Sequence, residues 1–349
     1  MKEKIPAMEE WQRLYNAAVE FKKLKCWGWM YDDNLFGVQN PEDGEIGFCC
    51  IMGNLGEVFA LAVYWGEEGL EGYLKIQSGE IDETDPDVLH CQKCLLASFE
   101  DRDYLQKEDL QLIKKLGLSF RGRNEWPMFR SYRPGYVPWF LTKKEALFLT
   151  AAIEQAIDVA LRFREDEGLL TSPGGDEYLI RVPDKIEDII LWEDRWMKPA
   201  PLEKTRVSDD RVDKVRIQRI KRDAARTDAI WEIETSFSPT PVREKKERPY
   251  FPRMLAVIDH HSTIALDFYM FEISSDTPDF RNHFLSFLEK NGELPQEILI
   301  RKDETHQLIA PIASLLKIHV KSVPKLLAFE EFYLSMFDFF RTKMVKKKF

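Results

Sequence analysis

Residues 231–323 constrain this chain most, because their elements follow one readable order. Trp231-Glu-Ile-Glu-Thr-Ser-Phe237 alternates apolar and acidic residues with period two, the pattern of a strand with one buried face. Two further β-branched and aromatic runs, 253–258 and 263–271, flank a hairpin-sized loop, Asp259-His-His-Ser262. Thr277-Pro278-Asp279 opens a helix carrying Phe280, Phe284, Phe287 and Leu288 at helical spacing, and Asn291-Gly292 closes it. A short apolar strand at 297–300 precedes Arg301-Lys302-Asp303, and Thr305 is placed to cap a second helix through Leu308, Ile309, Ile312, Leu315 and Leu316. A fifth strand, 318–323, leads to Pro324 at a helix start and to a stripe of Phe329, Phe332, Tyr333, Met336 and Phe340. The order predicted is β-β-β-α-β-α-β-α.

Local text reinforces it. Trp231-Glu-Ile-Glu234-Thr-Ser236, Leu255-Ala-Val-Ile-Asp259-His-His-Ser262 and Leu294-Pro-Gln-Glu-Ile-Leu-Ile-Arg-Lys-Asp303 are similar to the first strand, the following hairpin and the fourth strand of integrase and transposase cores. The region thus resembles the RNase H-like fold. That resemblance implies two metal ions held by carboxylates from the first strand, the fourth strand and the last helix, neutralising the attacking and leaving oxygens of phosphoryl transfer. Carried over, the first position is Glu234 where the family has Asp, and the second is Asp303. Glu304-Thr305 replaces the Asn-Gly that should follow, and the third acid falls among Glu330, Glu331 and Asp338, with Glu331 taken as the candidate. These departures imply a catalytically degenerate domain that needs no cofactor. The alternative is a Mg- or Mn-dependent phosphoryl-transfer enzyme acting on nucleic acid.

At 349 residues and 44% hydrophobic content the chain is long enough for two α+β domains, each with its own core. The expected division is an N-terminal antiparallel meander with helices at 1–198, a charged linker at 199–227 and the RNase H-like domain at 228–349. No uncharged apolar run reaches the roughly 18 residues of a membrane span, and the N-terminus lacks the apolar core of a signal peptide, so no membrane partner is expected. The five cysteines, Cys26, Cys49, Cys50, Cys91 and Cys94, are an odd number crowded into the N-terminal part, which argues against a disulfide framework and for a cytoplasmic protein. The net charge of −10 comes from the N-terminal part, which should repel nucleic acid. The linker and the slightly basic C-terminal domain are where nucleic acid would bind.

In the N-terminal part, a helix at 8–25 precedes aromatic-rich strands at 27–31, 36–39, 46–52 and 58–64. Helices are expected at 88–99 and 107–116, and Thr142-Lys-Lys-Glu145 is a capping box for another. Closing strands fall at 178–182 and 189–192. The mixed charges of 206–226 read as a solvated linker helix or as a nucleic-acid or partner-binding arm.

Three constellations invite a chemical reading. His90-Cys91-Gln-Lys-Cys94 has metal-ligand spacing but only one Cys pair, and small buried thiols on a helix face explain it equally. Asp259-His260-His261 is similar to a phosphoesterase metal motif whose upstream Asp-x-Asp has only Ser208-Asp209-Asp210 to match it, whereas an Asp-stabilised hairpin loop explains the same residues. Residues 119–140 interleave arginines with aromatics. Arg130, Tyr132, Trp126 and Trp139 either bind a protein, peptide or base, or belong to a Pro-stiffened loop that covers the core. Trp27-Gly-Trp29, Tyr64-Trp-Gly-Glu-Glu-Gly69 and Arg248-Pro-Tyr-Phe-Pro252 further make the chain resemble a two-domain bacterial protein family of unknown function. The function expected is a cytoplasmic non-enzymatic binding or regulatory protein.

Overall fold

A computed structural model describes residues 4–81, 86–186, 189–201, 212–244, 247–275 and 277–346. Two compact units emerge, one formed by residues 1–134 and 138–203, the other by 135–137 and 204–349. Both are α+β.

The first unit is a seven-stranded sheet with helices on both faces. Its strands are β1 (Phe36–Gln39), β2 (Ile46–Met52), β3 (Phe59–Trp65), β4 (Cys94–Glu100), β5 (Trp126–Tyr132), β6 (Tyr178–Ile186) and β7 (Ile189–Met197), in the order β5-β4-β3-β2-β1-β6-β7. The first five form the antiparallel meander, and β6 joins it parallel to β1 through Gly37↔Ile180. Period-two alternation divides the core: Cys49 and Ile51 face a cluster built on α1 (Met8–Leu24) and α4 (Lys143–Glu165), while Phe48 and Cys50 face α2 (Gly66–Gln77). A shorter helix, α3 (Lys107–Lys115), adds Ile113 to the first cluster. The capping box of α4 is in place, with Glu145 N donating to Thr142 Oγ1 at 3.3 Å and Thr142 N to Glu145 Oε2 at 2.7 Å. Gly72 lets α2 lie against the chain ahead of β4, for a Cβ there would stand 2.1 Å from the Cys91 carbonyl oxygen.

Three expectations for this unit change. Residues 27–31 are not a strand: Cys26–Gly28 forms a 3₁₀ turn after left-handed Lys25, and Trp27 is buried against Phe21, Phe59 and Phe99. Its aromatic run serves packing rather than pairing. Residues 88–99 are not a helix, because Leu95, Ala97 and Phe99 face the core with period two in β4, which pairs on both sides. Residues 119–140 are not all loop, because they contain β5; Pro127 is tolerated there because β5 is an edge strand.

The second unit opens with α5 (Lys214–Asp223) and a two-residue strand, β8 (Ala225–Arg226), before β9 (Ile230–Phe237), β10 (Arg253–Asp259) and β11 (Ala265–Phe271). After α6 (Thr277–Asn291) come β12 (Glu293–Leu294), β13 (Glu297–Ile300), α7 (Asp303–Leu316), β14 (His319–Ser322) and α8 (Leu327–Lys346). β12 pairs with β8 in a two-stranded sheet. The main sheet runs β11-β10-β9-β13-β14, antiparallel among β9 to β11 and parallel from β9 to β14, with Val257 opposite Ile233. In chain order that is 3-2-1-4-5, the RNase H-like architecture. α6 and α7 cover one face through Phe284, Leu288, Ile309 and Ile312, and α8 covers the other through Ala328 and Phe329. The charged stretch at 206–226 is described from Val212 onward, and there it is no solvated linker. Val212, Ile217 and Ile220 are buried in this unit's core, and Arg216 pairs with Glu289 at 2.7 Å.

Gly72→Ala is expected to lower the melting temperature of the intact chain, because overpacking of this kind costs about 1–3 kcal/mol. Unchanged melting would show that α2 does not rest on the Cys91 carbonyl.

Candidate functional site

The RNase H-like arrangement directs attention to β9. Trp231 and Ile233 face the α6/α7 core, so period two sends Glu232 and Glu234 to the opposite face, both buried. Each carboxylate is held by the protein itself. Glu232 Oε2 accepts the N–H of Phe329 in the first turn of α8 at 2.9 Å, and its Oε1 lies 2.6 Å from His260 Nδ1. Glu234 Oε1 accepts from the Thr305 hydroxyl and, at 3.0 Å, from the Thr235 N–H. Its Oε2 accepts from Arg301 Nε at 3.5 Å. The parallel register Leu299↔Glu232, continued by two residues, is what brings Arg301 beside Glu234. Burial pushes the Glu234 carboxyl above the ordinary range, against the opposing pull of Lys302, Thr305 and Arg301.

The three acids predicted as catalytic sit in different surroundings. Glu234 is enclosed, Asp303 is exposed as the first residue of α7, and Glu331 is exposed on α8. Among the described residues no group of three or more His, Cys, Asp or Glu is arranged to hold a metal ion. A two-metal centre does not fit these side chains, because a guanidinium and a hydroxyl already face the carboxylate that would be its first ligand. Thr305 does not cap α7 as expected. Lys302 takes the cap position, and the Thr305 hydroxyl points to Glu234. Sequence reasoning missed Glu232, although its place two residues before Glu234 on the same strand face signals it.

The four residues predicted to bind a partner are spread over different surroundings. Arg130 is buried and bidentate to Asp109, with Nη1–Oδ1 at 2.9 Å and Nη2–Oδ2 at 2.6 Å; it also donates to the Phe129 carbonyl and lies over the Phe140 ring. Trp126 packs against Phe120, with Arg102 over its ring. Trp139 pairs through its backbone with Ser131, and its ring meets Phe140. Tyr132 lines a cleft.

That cleft, of about 770 Å³, lies where β3 and β5 end and α4 begins, between Trp65, Tyr132, Lys93, Arg133, Lys143 and Lys144. Its size suits a small-molecule or peptide site. Ion pairs surround it: Lys93 with Glu68 at 2.9 Å, Lys144 with Asp43, and Arg133 with Glu145 at 2.8 Å. Burial by itself would raise the Glu145 carboxyl, but the Thr142 N–H, Arg133 and the Ser131 hydroxyl together hold it below its ordinary value. Arg133 is thereby fixed at the cleft while more than a third of its side chain stays exposed.

The remaining constellations serve structure. Cys94 is buried in β4, and the Cys91 thiol donates to the Val88 carbonyl at 3.2 Å. The five cysteines are thiols outside any disulfide, and burial pushes Cys26 up to about 12. Asp259 binds the N–H and hydroxyl of Ser262, so the hairpin loop accounts for the motif. Ser208, Asp209 and Asp210 lie outside the described residues.

Two family models match the chain. Residues 11–181 match a domain of unknown function (DUF7309), and residues 216–337 match another (DUF6930). A comparison with curated proteins finds no match. Among solved structures, the chain is similar to the Mos1 transposase paired-end complex with left transposon end at 12% identity and a TM-score of 0.22, over 78% of this chain and 70% of that one. The Mos1 mariner paired end complex with Mn gives 12% identity and a TM-score of 0.21, over 79% and 72%. The second unit's own strand order is what carries its RNase H-like fold.

Removing the Arg130 side chain leaves Asp109 charged and buried, which costs about 3–5 kcal/mol. Arg130→Ala is therefore expected to lower the melting temperature sharply, and Arg130→Met with Asp109→Leu to recover part of the loss, since Asp109 also accepts the Gln106 N–H. A stable Arg130→Ala protein would return Arg130 to the candidates for ligand binding.

Proposed function

We propose that the protein is a non-enzymatic binding protein, in which the RNase H-like unit is a catalytically degenerate scaffold and the first unit supplies a ligand cleft. The observation that supports this most is the pairing of Glu234 with Arg301 and Thr305. A metal ion at Glu234 would have to displace a resident cation and break the hydroxyl contact, and two more carboxylates would have to be brought in to complete its shell. In the first unit, Arg133 is anchored by Glu145 next to Tyr132 and Trp65. A guanidinium held by a buried carboxylate and more than a third exposed at a cleft suits recognition of a carboxylate or another anionic group, and neighbouring aromatic surface suits an apolar or planar portion. The ligand class that fits is a peptide or small molecule carrying one anionic group.

The competing reading is divalent-metal-dependent phosphoryl transfer on nucleic acid through Glu234, Asp303 and Glu331. Thermal melting of the intact chain with and without millimolar Mn²⁺ separates the two, run beside a cleavage assay on labelled single- and double-stranded DNA. The binding reading expects neither a rise in melting temperature nor cleavage. A Mn²⁺-dependent rise that disappears in Glu234→Gln, or cleavage that requires Glu234, would overturn it.

A further inference from the structure

β7 is the outermost strand of the seven-stranded sheet, and it is nine residues long. The β6/β7 ladder runs from Tyr178↔Met197 to Ile186↔Ile189, whereas β6 pairs with β1 at Gly37↔Ile180 and Val38↔Arg181. The hairpin thus extends past the body of the sheet. Its outer strand presents three consecutive apolar residues to solvent, with Ile189 65% exposed, Ile190 40% and Leu191 50%. A long outer strand with exposed apolar side chains is a template for strand addition, and natural proteins usually blunt such edges.

The sequence of β7 says what fits there. In Leu191-Trp-Glu-Asp194-Arg-Trp-Met197, residues equidistant from Asp194 are complementary: Glu with Arg, Trp with Trp and Leu with Met. Antiparallel pairing with an identical strand, centred on that residue, sets Glu193 opposite Arg195, Trp192 opposite Trp196 and Leu191 opposite Met197. The two-fold axis makes each pair occur twice. Opposite charges and paired aromatics at facing positions are the contacts that stabilise an antiparallel ladder. The one like-charged meeting, Asp194 with itself, is already compensated within each chain, because Asp194 accepts from Arg181 Nη1 at 2.6 Å and from Arg162. Glu193 and Arg195 are more than half exposed and make only an exposed pair with each other at 3.1 Å. Both remain available to a facing strand.

We infer that β7 is a self-association edge, and that two copies of this chain join their sheets by antiparallel pairing of β7 about Asp194. The partner is a second copy rather than an unrelated peptide, because the charge pattern is complementary to itself.

Sedimentation of the intact chain over a range of concentrations tests this directly. Wild type is expected to show a monomer–dimer equilibrium. Glu193→Arg places arginine opposite arginine twice, and Arg195→Glu places glutamate opposite glutamate twice. Each is expected to weaken association roughly tenfold, given the size of cross-strand pair energies and the doubling by symmetry. The double variant Glu193→Arg with Arg195→Glu restores both pairs and is expected to recover the wild-type constant. Melting temperatures of all variants should stay close to wild type, since both side chains are exposed. A chain that is monomeric at every concentration, a dimer indifferent to the single changes, or a double variant as weak as the singles would overturn the proposal.

Discussion

Two carboxylates taken out of water on one face of β9 dictate how the second unit is built. A buried carboxylate without hydrogen-bond donors costs several kcal/mol, so Glu232 and Glu234 are tolerated only where donors meet them. The donors come from three separate elements: the first turn of α8 at Phe329, the hairpin loop at His260, and the end of β13 with the start of α7 at Arg301 and Thr305. Satisfying two charges thereby fixes α8 on one face of the sheet and the start of α7 beside the end of β13. Both carboxylates are thus closed by contacts within the protein, and the function proposed above builds on that closure.

The first unit uses charge in a parallel way. Arg130 and Asp109 tie β5 to α3 inside the core, and Asp109 also accepts the Gln106 N–H at 2.8 Å to close the start of that helix. Glu145 does three tasks at once: it completes the capping box of α4, accepts from Ser131 on β5, and anchors Arg133 at the cleft. Charges that look available in the sequence are largely occupied. On the rim of the cleft Arg133, Lys93 and Lys144 are ion-paired and still keep substantial exposure.

Much of this architecture was legible beforehand, and the reasons are specific. The β-β-β-α-β-α-β-α order stood out because Trp231 to Phe237 and the helices from Phe280 and Leu308 each repeat one period over many residues. The capping box at Thr142 and Glu145 is a local rule that tertiary contacts rarely override. The failures share a cause, namely partners distant in sequence. Whether residues 88–99 coil or extend was decided by pairing with β3 and β5, and the aromatic run at Trp27 was decided by burial against Phe59 and Phe99. Arg130 and Asp109 are twenty-one positions apart, and Glu234 and Arg301 sixty-seven. No spacing rule within one element reveals either pair. Isoleucines 217 and 220 in the charged stretch did carry a helical spacing, but the surrounding charges outweighed it.

The Glu234 carboxylate is buried and accepts hydrogen bonds from Thr305, Thr235 and Arg301. Its titration can be followed by carboxyl carbon NMR on glutamate-labelled protein, with Glu234→Gln to assign the signal. The account expects a folded-state pKa above the ordinary glutamate value, raised chiefly by burial, and no displacement of the signal on adding Mg²⁺. A pKa at or below the ordinary value, or a titration that shifts with Mg²⁺, would contradict it.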